Sequence, residues 1–185
     1  MLILLNKPYQ VLSQFRDKDG RATLGDFVDV PDVYPAGRLD YESEGLILLT
    51  NDGKLQARIS QPRSKIPKVY WAQVEGEPST DQLDRLMRGV TLKDGPASAV
   101  TARAMDSPAG IWDRSPPIRY RASVPDSWLE VTITQGRNRQ VRRMTAAVGL
   151  PMLRLIRFSI GPWSIEGLKP GQWRQISNKE AWKTL

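Results

Sequence analysis

The sequence contains no cysteine and no histidine among its 185 residues. Their absence excludes disulfide bonds, thiol nucleophiles, Ser-His-Asp triads, imidazole bases and the ordinary zinc sites built from these residues. The chain also lacks any apolar run of the ~20 residues that a transmembrane helix needs. The N-terminal segment Met1–Leu5 is too short for a signal-peptide core and has no basic region before it. We therefore expect a cytoplasmic protein whose chemistry depends on Asp, Glu, Lys, Arg, Tyr, Ser or Thr.

Acidic residues are missing from one long segment. The whole chain has 27 basic and 20 acidic residues, for a net charge of +7. Residues 131–165 contain no Asp or Glu but six arginines, which are Arg137, Arg139, Arg142, Arg143, Arg154 and Arg157. Because a solvated surface usually mixes both signs, a segment of one sign indicates a surface that meets phosphate groups. A polyanion is the partner that this charge favours, although a basic protein without such a partner has the same total.

Motifs for nucleotide and calcium binding are missing as well. The sequence has neither a P-loop nor a Gly-x-Gly-x-x-Gly fingerprint. Residues 40–45 place oxygen-bearing side chains at the first, third and fifth positions of a possible calcium loop, with glycine at the sixth. The twelfth position is Asn51, where a calcium loop requires a bidentate glutamate. We therefore expect no metal and no cofactor.

Short apolar runs separated by turn residues predict a mixed α+β chain. Strands are expected at 1–5, 11–15, 46–50, 68–74, 96–105, 118–124, 128–134, 153–160 and 172–176. Helices are expected at 54–60, from a capping box at 79–82 to Gly89, at 138–148 and after Ser177. The strands 118–124 and 128–134 are expected to pair, and residues 106–117, which include three prolines, are expected to form a loop.

The helix at 138–148 has two different faces. At about 100° per residue, Val141, Met144 and Val148 lie on one side, which predicts burial. Arg139, Arg142 and Arg143 lie on the opposite side. This second face presents three guanidiniums, either to solvent or to a phosphate or substrate.

Three blocks of the sequence resemble the motifs of pseudouridine synthases. Residues 35–53, which include Gly37-Arg-Leu-Asp40 near their start, resemble the signature motif of that family. Lys68-Val-Tyr70 resembles its Lys-x-Tyr strand, and Gln135–Met144 resembles its arginine-rich motif, followed by 153–161. The blocks stand in the family's order and span almost the whole chain, and they are most similar to the RsuA-like branch that modifies ribosomal RNA in bacteria.

The resemblance implies an α+β fold, the pseudouridine synthase fold. Its sheet is expected to be bent, mixed and mainly antiparallel, with flanking helices and two lobes around a central cleft. One catalytic domain is expected over 1–185, with the lobes divided near 60–66. Asp40 is expected at the floor of the cleft and the helix at 138–148 on one wall. No RNA-binding domain of the S4 type is expected before it, because the catalytic part begins at Met1. We expect a monomer.

The resemblance also implies a cofactor-free isomerase. Such an enzyme cleaves the C1′–N1 glycosidic bond of one uridine in RNA, rotates the base and rejoins it through C5. Ribosomal RNA, and within it the 23S RNA of the large subunit, is the expected substrate. Small-subunit ribosomal RNA and tRNA are the alternatives. Three courses stay open for the essential carboxylate: attack on C1′, attack on the base, or proton abstraction toward a glycal.

By resemblance, Asp40 is the essential carboxylate, and Arg142 pairs with it and keeps it ionised. Tyr70 lies against the base and removes the C5 or a sugar proton, and Leu155 packs under the site. Arg38 fills the gap that the flipped base leaves. Further RNA contacts are expected at Lys68, Arg137, Arg139, Arg143 and Arg154, with Trp112 as an additional candidate.

Elementary chemistry is consistent with these roles. Breaking a glycosidic bond builds positive charge on the sugar, which a carboxylate stabilises or traps. A neighbouring arginine favours the charged form of an aspartate. Two other functions remain open on the residues alone. One is an RNA-binding module without catalysis, and the other is a metal-dependent nuclease that uses Asp40, Glu42, Glu44 and Asp52.

Overall fold

The structure is a computed structural model that describes residues 1–119, 121 and 123–185. The strands of the described residues are β1 (Leu2–Lys7), β2 (Tyr34–Pro35), β3 (Glu44–Thr50), β4 (Lys68–Glu75), β5 (Val90–Leu92), β6 (Gly95–Ala97), β7 (Thr101–Met105), β8 (Asp126–Ile133), β9 (Met152–Ile160), β10 (Trp163–Ser164) and β11 (Trp173–Ile176). The α-helices are α1 (Gly53–Ser60), α2 (Thr80–Arg88), α3 (Gln140–Ala147) and α4 (Asn178–Thr184), and short 3-10 helices occupy Leu24–Asp26 and Pro62–Ser64.

The chain divides into two compact units. The first unit comprises Met1–Ile66 and Arg157–Leu185, and the second comprises Pro67–Ile156. The second boundary falls inside β9, so the chain returns to the first unit within a strand. The sequence predicted a single division near 60–66 and did not include this return.

The first unit has the strand order β11-β1-β3-β9, with β2 on β3 and β10 on β9. Strands β1 and β3 are buried along their whole length and pair antiparallel, which is why both are nearly continuous apolar runs. Helix α1 follows β3 directly. Its N-cap is Asp52, whose side chain accepts hydrogen bonds from the backbone N–H groups of Lys54 and Leu55.

The second unit has the strand order β9-β4-β8-β7, and β5 and β6 form a separate hairpin. Strand β4 alternates in burial, with Tyr70, Ala72 and Val74 inside. It pairs antiparallel with β8 over its full length, and β7 covers the other edge of β8. Helix α2 begins with the predicted capping box of Ser79 and Gln82.

Several predicted elements differ from those observed. The predicted partner of 128–134 was wrong, because β8 pairs with β4 and β7 instead. Residues 120 and 122 of that partner lie outside the described residues, and the rest of 118–124 is not a strand. The predicted strand at 96–105 is two strands, because β6 pairs with β5 and β7 pairs with β8. Helix α3 begins two residues later than expected, because Arg139 takes a left-handed φ of 47°.

The predicted strand at 11–15 was also wrong. Only Leu12 makes an isolated bridge there, to Thr23. The buried ammonium of Lys7 donates to the backbone oxygens of Pro8 and Val11, which curls the segment into a turn. None of the helices formed by the described residues has both the length and the apolarity needed to cross a membrane.

Candidate active site

Asp40 lies in the first unit, in the loop that leads into β3. Its side chain is half-buried. The loop is closed by the backbone N–H of Ser43, which donates to the Asp40 oxygen at 3.1 Å. The Ser43 hydroxyl also lies 3.4 Å from the Asp40 carboxylate as a donor. A half-buried carboxylate on a closed turn at the start of a buried strand has the fixed geometry that catalysis requires.

The backbone on both sides of Asp40 is held by the turn at 10–13. The Ser13 hydroxyl donates to the Leu39 oxygen at 2.6 Å and accepts from the Leu39 N–H at 3.0 Å. The Gln10 N–H donates to the Tyr41 oxygen at 2.8 Å. The residues before and after Asp40 are therefore both tied to the same turn, which restricts the movement of its backbone.

Arg157 holds the same loop from β9. Its side chain is buried, and its Nε donates to the Leu46 oxygen at 2.7 Å while Nη1 donates to the Arg38 oxygen at 3.2 Å. Gly45 allows this approach: it has a φ of +102°, and a Cβ there would collide with the Arg157 carbonyl and lie 2.7 Å from the Arg157 nitrogen. A glycine is needed at position 45 for both reasons.

Lys7 is a buried charged group in this region that the sequence analysis missed. Its side chain is fully buried, and its Nζ donates to the oxygens of Pro8 at 2.8 Å and Val11 at 2.9 Å. Burial lowers the pKa of Lys7 from 10.5 to about 7, although the negative charges of Glu44 and Asp40 act in the opposite direction. A sequence signal for this burial was available, since only Asn6 separates Lys7 from the apolar run at 2–5.

The second unit carries the other residues that the resemblance singled out. Tyr70 lies in β4 and Leu155 in β9, which are neighbouring strands, and both side chains are buried. Arg142 lies on α3 and is half-buried, as is Lys68 at the start of β4. Arg38, in the first unit, is exposed. The roles predicted for these residues stay predictions.

Two of the predicted RNA-contacting arginines contact the turn between β5 and β6. Arg137 Nη1 donates to the backbone oxygens of Asp94 at 3.0 Å and Gly95 at 3.3 Å, and Nη2 donates to that of Pro96. Both guanidinium ends of Arg143 donate to the Asp94 carboxylate, at 2.7 and 3.1 Å. Hydrogen bonding by Arg143, with the charge of Arg137, holds the pKa of Asp94 below its ordinary value. An acid from outside the acid-free segment therefore balances part of its charge.

Arg154 has internal partners. It is buried in β9, its Nη1 donates to the Trp112 oxygen at 2.9 Å, and its guanidinium lies 5.5 Å from the centre of the Trp112 ring. This is the geometry of a cation–π contact. A buried guanidinium with these partners is poorly placed to contact a phosphate, so we assign no RNA contact to Arg154.

Arg139 is placed differently from the other arginines of the acid-free segment. It precedes α3 in the left-handed conformation and is exposed.

The carboxylates suggested for a metal-dependent nuclease do not form a metal site, since no three Asp or Glu side chains within 1–119, 121 and 123–185 converge as ligands.

The comparison with known proteins identifies the class. A solved structure titled as a pseudouridylate synthase superposes with a TM-score of 0.78 at 28% sequence identity, covering 100% of this chain and 73% of its own. The family model for RNA pseudouridylate synthases matches residues 1–147. The chain therefore belongs to the RNA pseudouridylate synthase family, whose members are isomerases. This confirms the family, the enzyme class and the α+β fold predicted from the three sequence blocks. The expected bend of the sheet and the cleft stay predictions.

Two curated relatives with the same name are more than half identical to this chain over most of its length. A protein of Xanthomonas campestris named ribosomal large subunit pseudouridine synthase E is 58% identical over 176 residues, which cover 94% of each chain. A protein of the same name from Vibrio parahaemolyticus is 55% identical over 175 residues, 95% of this chain and 73% of the relative.

Proposed function

We propose that this protein converts one uridine of large-subunit ribosomal RNA, the 23S RNA, to pseudouridine, with Asp40 as the essential carboxylate. The observation that carries the proposal is the fixed loop 38–46, whose backbone is held by Ser13, Gln10 and Arg157 around a half-buried Asp40. The substrate follows from the names of the relatives that are more than half identical. The proposal includes a monomeric enzyme in the cytoplasm, where ribosomal subunits are assembled.

The chemistry places one demand on Asp40. As the C1′–N1 bond breaks, positive charge develops on the sugar, and a carboxylate held in a fixed position stabilises that charge without having to reorganise. The same position serves a nucleophile or a base, so the three courses named above share this requirement. Tyr70, Arg142 and Leu155 keep the roles that the resemblance predicts.

RNA binding supplies the energy for extracting the target base. Removing a base from its stack costs a few kcal/mol, which contacts to the surrounding RNA must offset. We assign such contacts to Arg38, Lys68, Arg137, Arg139 and Arg143. Of these, Arg137 and Arg143 already bond the β5–β6 turn, so an RNA phosphate competes with Asp94 for them.

The test is release of tritium from C5-labelled uridine in protein-free ribosomal RNA, with chelator present. We expect the wild type to release about one tritium per RNA and Asp40→Asn to release none, because an amide cannot stabilise the developing charge. RNA binding by Asp40→Asn is expected to survive, since the change keeps size and shape. Asp29→Asn, the same change at an exposed position of the first unit, is the matched control and is expected to match the wild type.

Each other outcome has a defined meaning. Full release by Asp40→Asn contradicts the role of Asp40. Cleavage of the RNA chain by the wild type that chelator abolishes, without tritium release, supports the metal-dependent nuclease. Absence of release from both naked RNA and immature subunits leaves an RNA-binding module without catalysis, and release from small-subunit RNA or tRNA alone corrects the substrate.

A further inference from the structure

One arginine side chain spans both ends of the loop that carries Asp40. The Arg157 guanidinium donates through Nε to Leu46, in β3, and through Nη1 to Arg38, two residues before Asp40. The two acceptors are backbone oxygens, and the side chain is 3% exposed. Because the guanidinium is planar and rigid, the two bonds fix the separation of the two carbonyls.

The backbone of Arg157 also packs closely against this loop. Gly45 lies against the Arg157 N, C and O atoms, at a distance that leaves no room for a side chain. Arg157, the residue of β9 at which the chain re-enters the first unit, therefore contacts the Asp40 loop through both its backbone and its side chain. On its other side the loop is tied to Ser13 and Gln10.

The geometry points to Arg157 as a positioning residue for Asp40, whose guanidinium sets the path of the 38–46 backbone and thereby the place of the carboxylate. This inference rests on the proposed function of Asp40. Stability alone is a weak reason for this arrangement, since a buried guanidinium loses its hydration and Nη2 has no hydrogen-bond partner among the described residues.

Charge and geometry at Arg157 are separable by choice of variant. The charge of Arg157 opposes protonation of Lys7, while Glu44 and Asp40 favour it, so all three groups lie within electrostatic reach of Lys7. Arg157→Lys keeps the positive charge but has one nitrogen in place of the planar fork. Arg157→Gln removes the charge as well.

The experiment measures single-turnover tritium release at saturating ribosomal RNA, together with the Kd for RNA. We expect Arg157→Lys to lower the rate constant about tenfold or more, because small displacements of a catalytic group are costly, and to leave the Kd within about twofold. Amide hydrogen exchange in a peptide covering 38–46 is expected to become faster. Arg174→Lys, at an exposed position of β11, is the matched control and is expected to behave as the wild type in all three measurements.

Asp40→Asn in the same assay separates the two proposals. An inactive Asp40→Asn with a fully active Arg157→Lys overturns the positioning role alone. A slow Arg157→Lys whose rate loss equals its loss of folded protein also overturns it, since the role would then be structural. An active Asp40→Asn, or a wild type without release from naked RNA and immature subunits, removes the proposed function and this inference with it.

Discussion

Lys7 combines two features that a lysine seldom has, complete burial and two backbone carbonyls as hydrogen-bond acceptors. It ends β1, and its bonds to Pro8 and Val11 form the turn that then holds Leu39 and Tyr41. The buried charge is costly, but the turn it forms fixes both neighbours of Asp40. Burial of Lys7 thus lowers the stability of the fold, while the turn orders the backbone beside Asp40.

The burial of Lys7 predicts a pH-dependent stability. Its pKa is about 7 in the folded protein and 10.5 when unperturbed, so the cost of burying its charge is complete below pH 7 and fades as the pH rises to 10.5. Across that window the free energy of unfolding gains up to about 1.4 kcal/mol per pH unit from this group. Lys7→Met is expected to lack this gain, as measured by urea unfolding at pH 7.5 and 9.

An exposed lysine provides the control for this titration. Lys54→Met, in the first turn of α1, is expected to keep the slope of the wild type. Parallel curves for wild type and Lys7→Met would show that Lys7 does not titrate in this window.

At the scale of elements, α3 illustrates where periodicity succeeds. Val141, Met144 and Val148 are buried, as the helical spacing predicted. The opposite face was expected to present its arginines together, but Arg139 precedes the helix and Arg143 is bound by Asp94 in the β5–β6 turn. The hairpin β5–β6 was not predicted, so there was no reason from the sequence to expect a contact between Asp94 and the arginines of α3.

The contact between Asp94 and α3 predicts a charge effect on RNA binding. Asp94→Asn removes the negative charge that Arg137 and Arg143 now share, so both are expected to attract phosphate more strongly. We expect tighter binding at low salt and a dependence of log affinity on log salt that is steeper by up to about one unit. Filter binding of ribosomal RNA over a salt series measures both.

Asp84→Asn removes the same charge from an exposed position of α2 and serves as the matched control. A response equal to that of Asp94→Asn would mean that net charge alone is responsible. Weaker binding by Asp94→Asn would mean that Asp94 orients the arginines for RNA.

At the scale of the whole molecule, the arginines of the acid-free segment 131–165 do not form one continuous exposed surface. Arg154 and Arg157 are buried, and Arg154 donates to the backbone oxygen of Trp112 while Arg157 donates to that of Leu46. Arg137 and Arg143 contact the β5–β6 turn, whereas Arg139 is exposed. The arginines of the acid-free segment therefore have different environments, and their number alone does not measure the phosphate contacts.

This division predicts unequal effects on the salt dependence of RNA binding. Arg139→Asn is expected to flatten the slope of log affinity against log salt by about one unit, because one phosphate contact is lost. Asparagine tolerates the left-handed conformation at this position, so folding is expected to be kept. Arg154→Gln is the internal comparison and is expected to lower thermal stability without changing the slope. Equal slopes for Arg139→Asn and the wild type would remove Arg139 from the RNA surface.

Much of the fold was predictable because its signals are local. The buried strands β1 and β3, the capping box of α2, the cap of α4 and the buried face of α3 all depend on residues close together in the sequence. Strand pairing is not local, and for that reason the partner of β8 was predicted wrongly. The turn at 10–13 was missed because hydrogen bonds from Lys7 hold it, and the burial of Lys7 was not predicted.

By itself, the sequence determined the family and the class of reaction, and it singled out Asp40 as the candidate carboxylate, since motif residues keep their order and spacing whatever surrounds them. Only the tertiary structure decided what surrounds that position. The two bonds of Arg157 join residues 111 and 119 positions apart, and the Arg143–Asp94 contact joins residues 49 apart. Burial and hydrogen bonding at such separations depend on how the chain packs, which no local pattern of residues records.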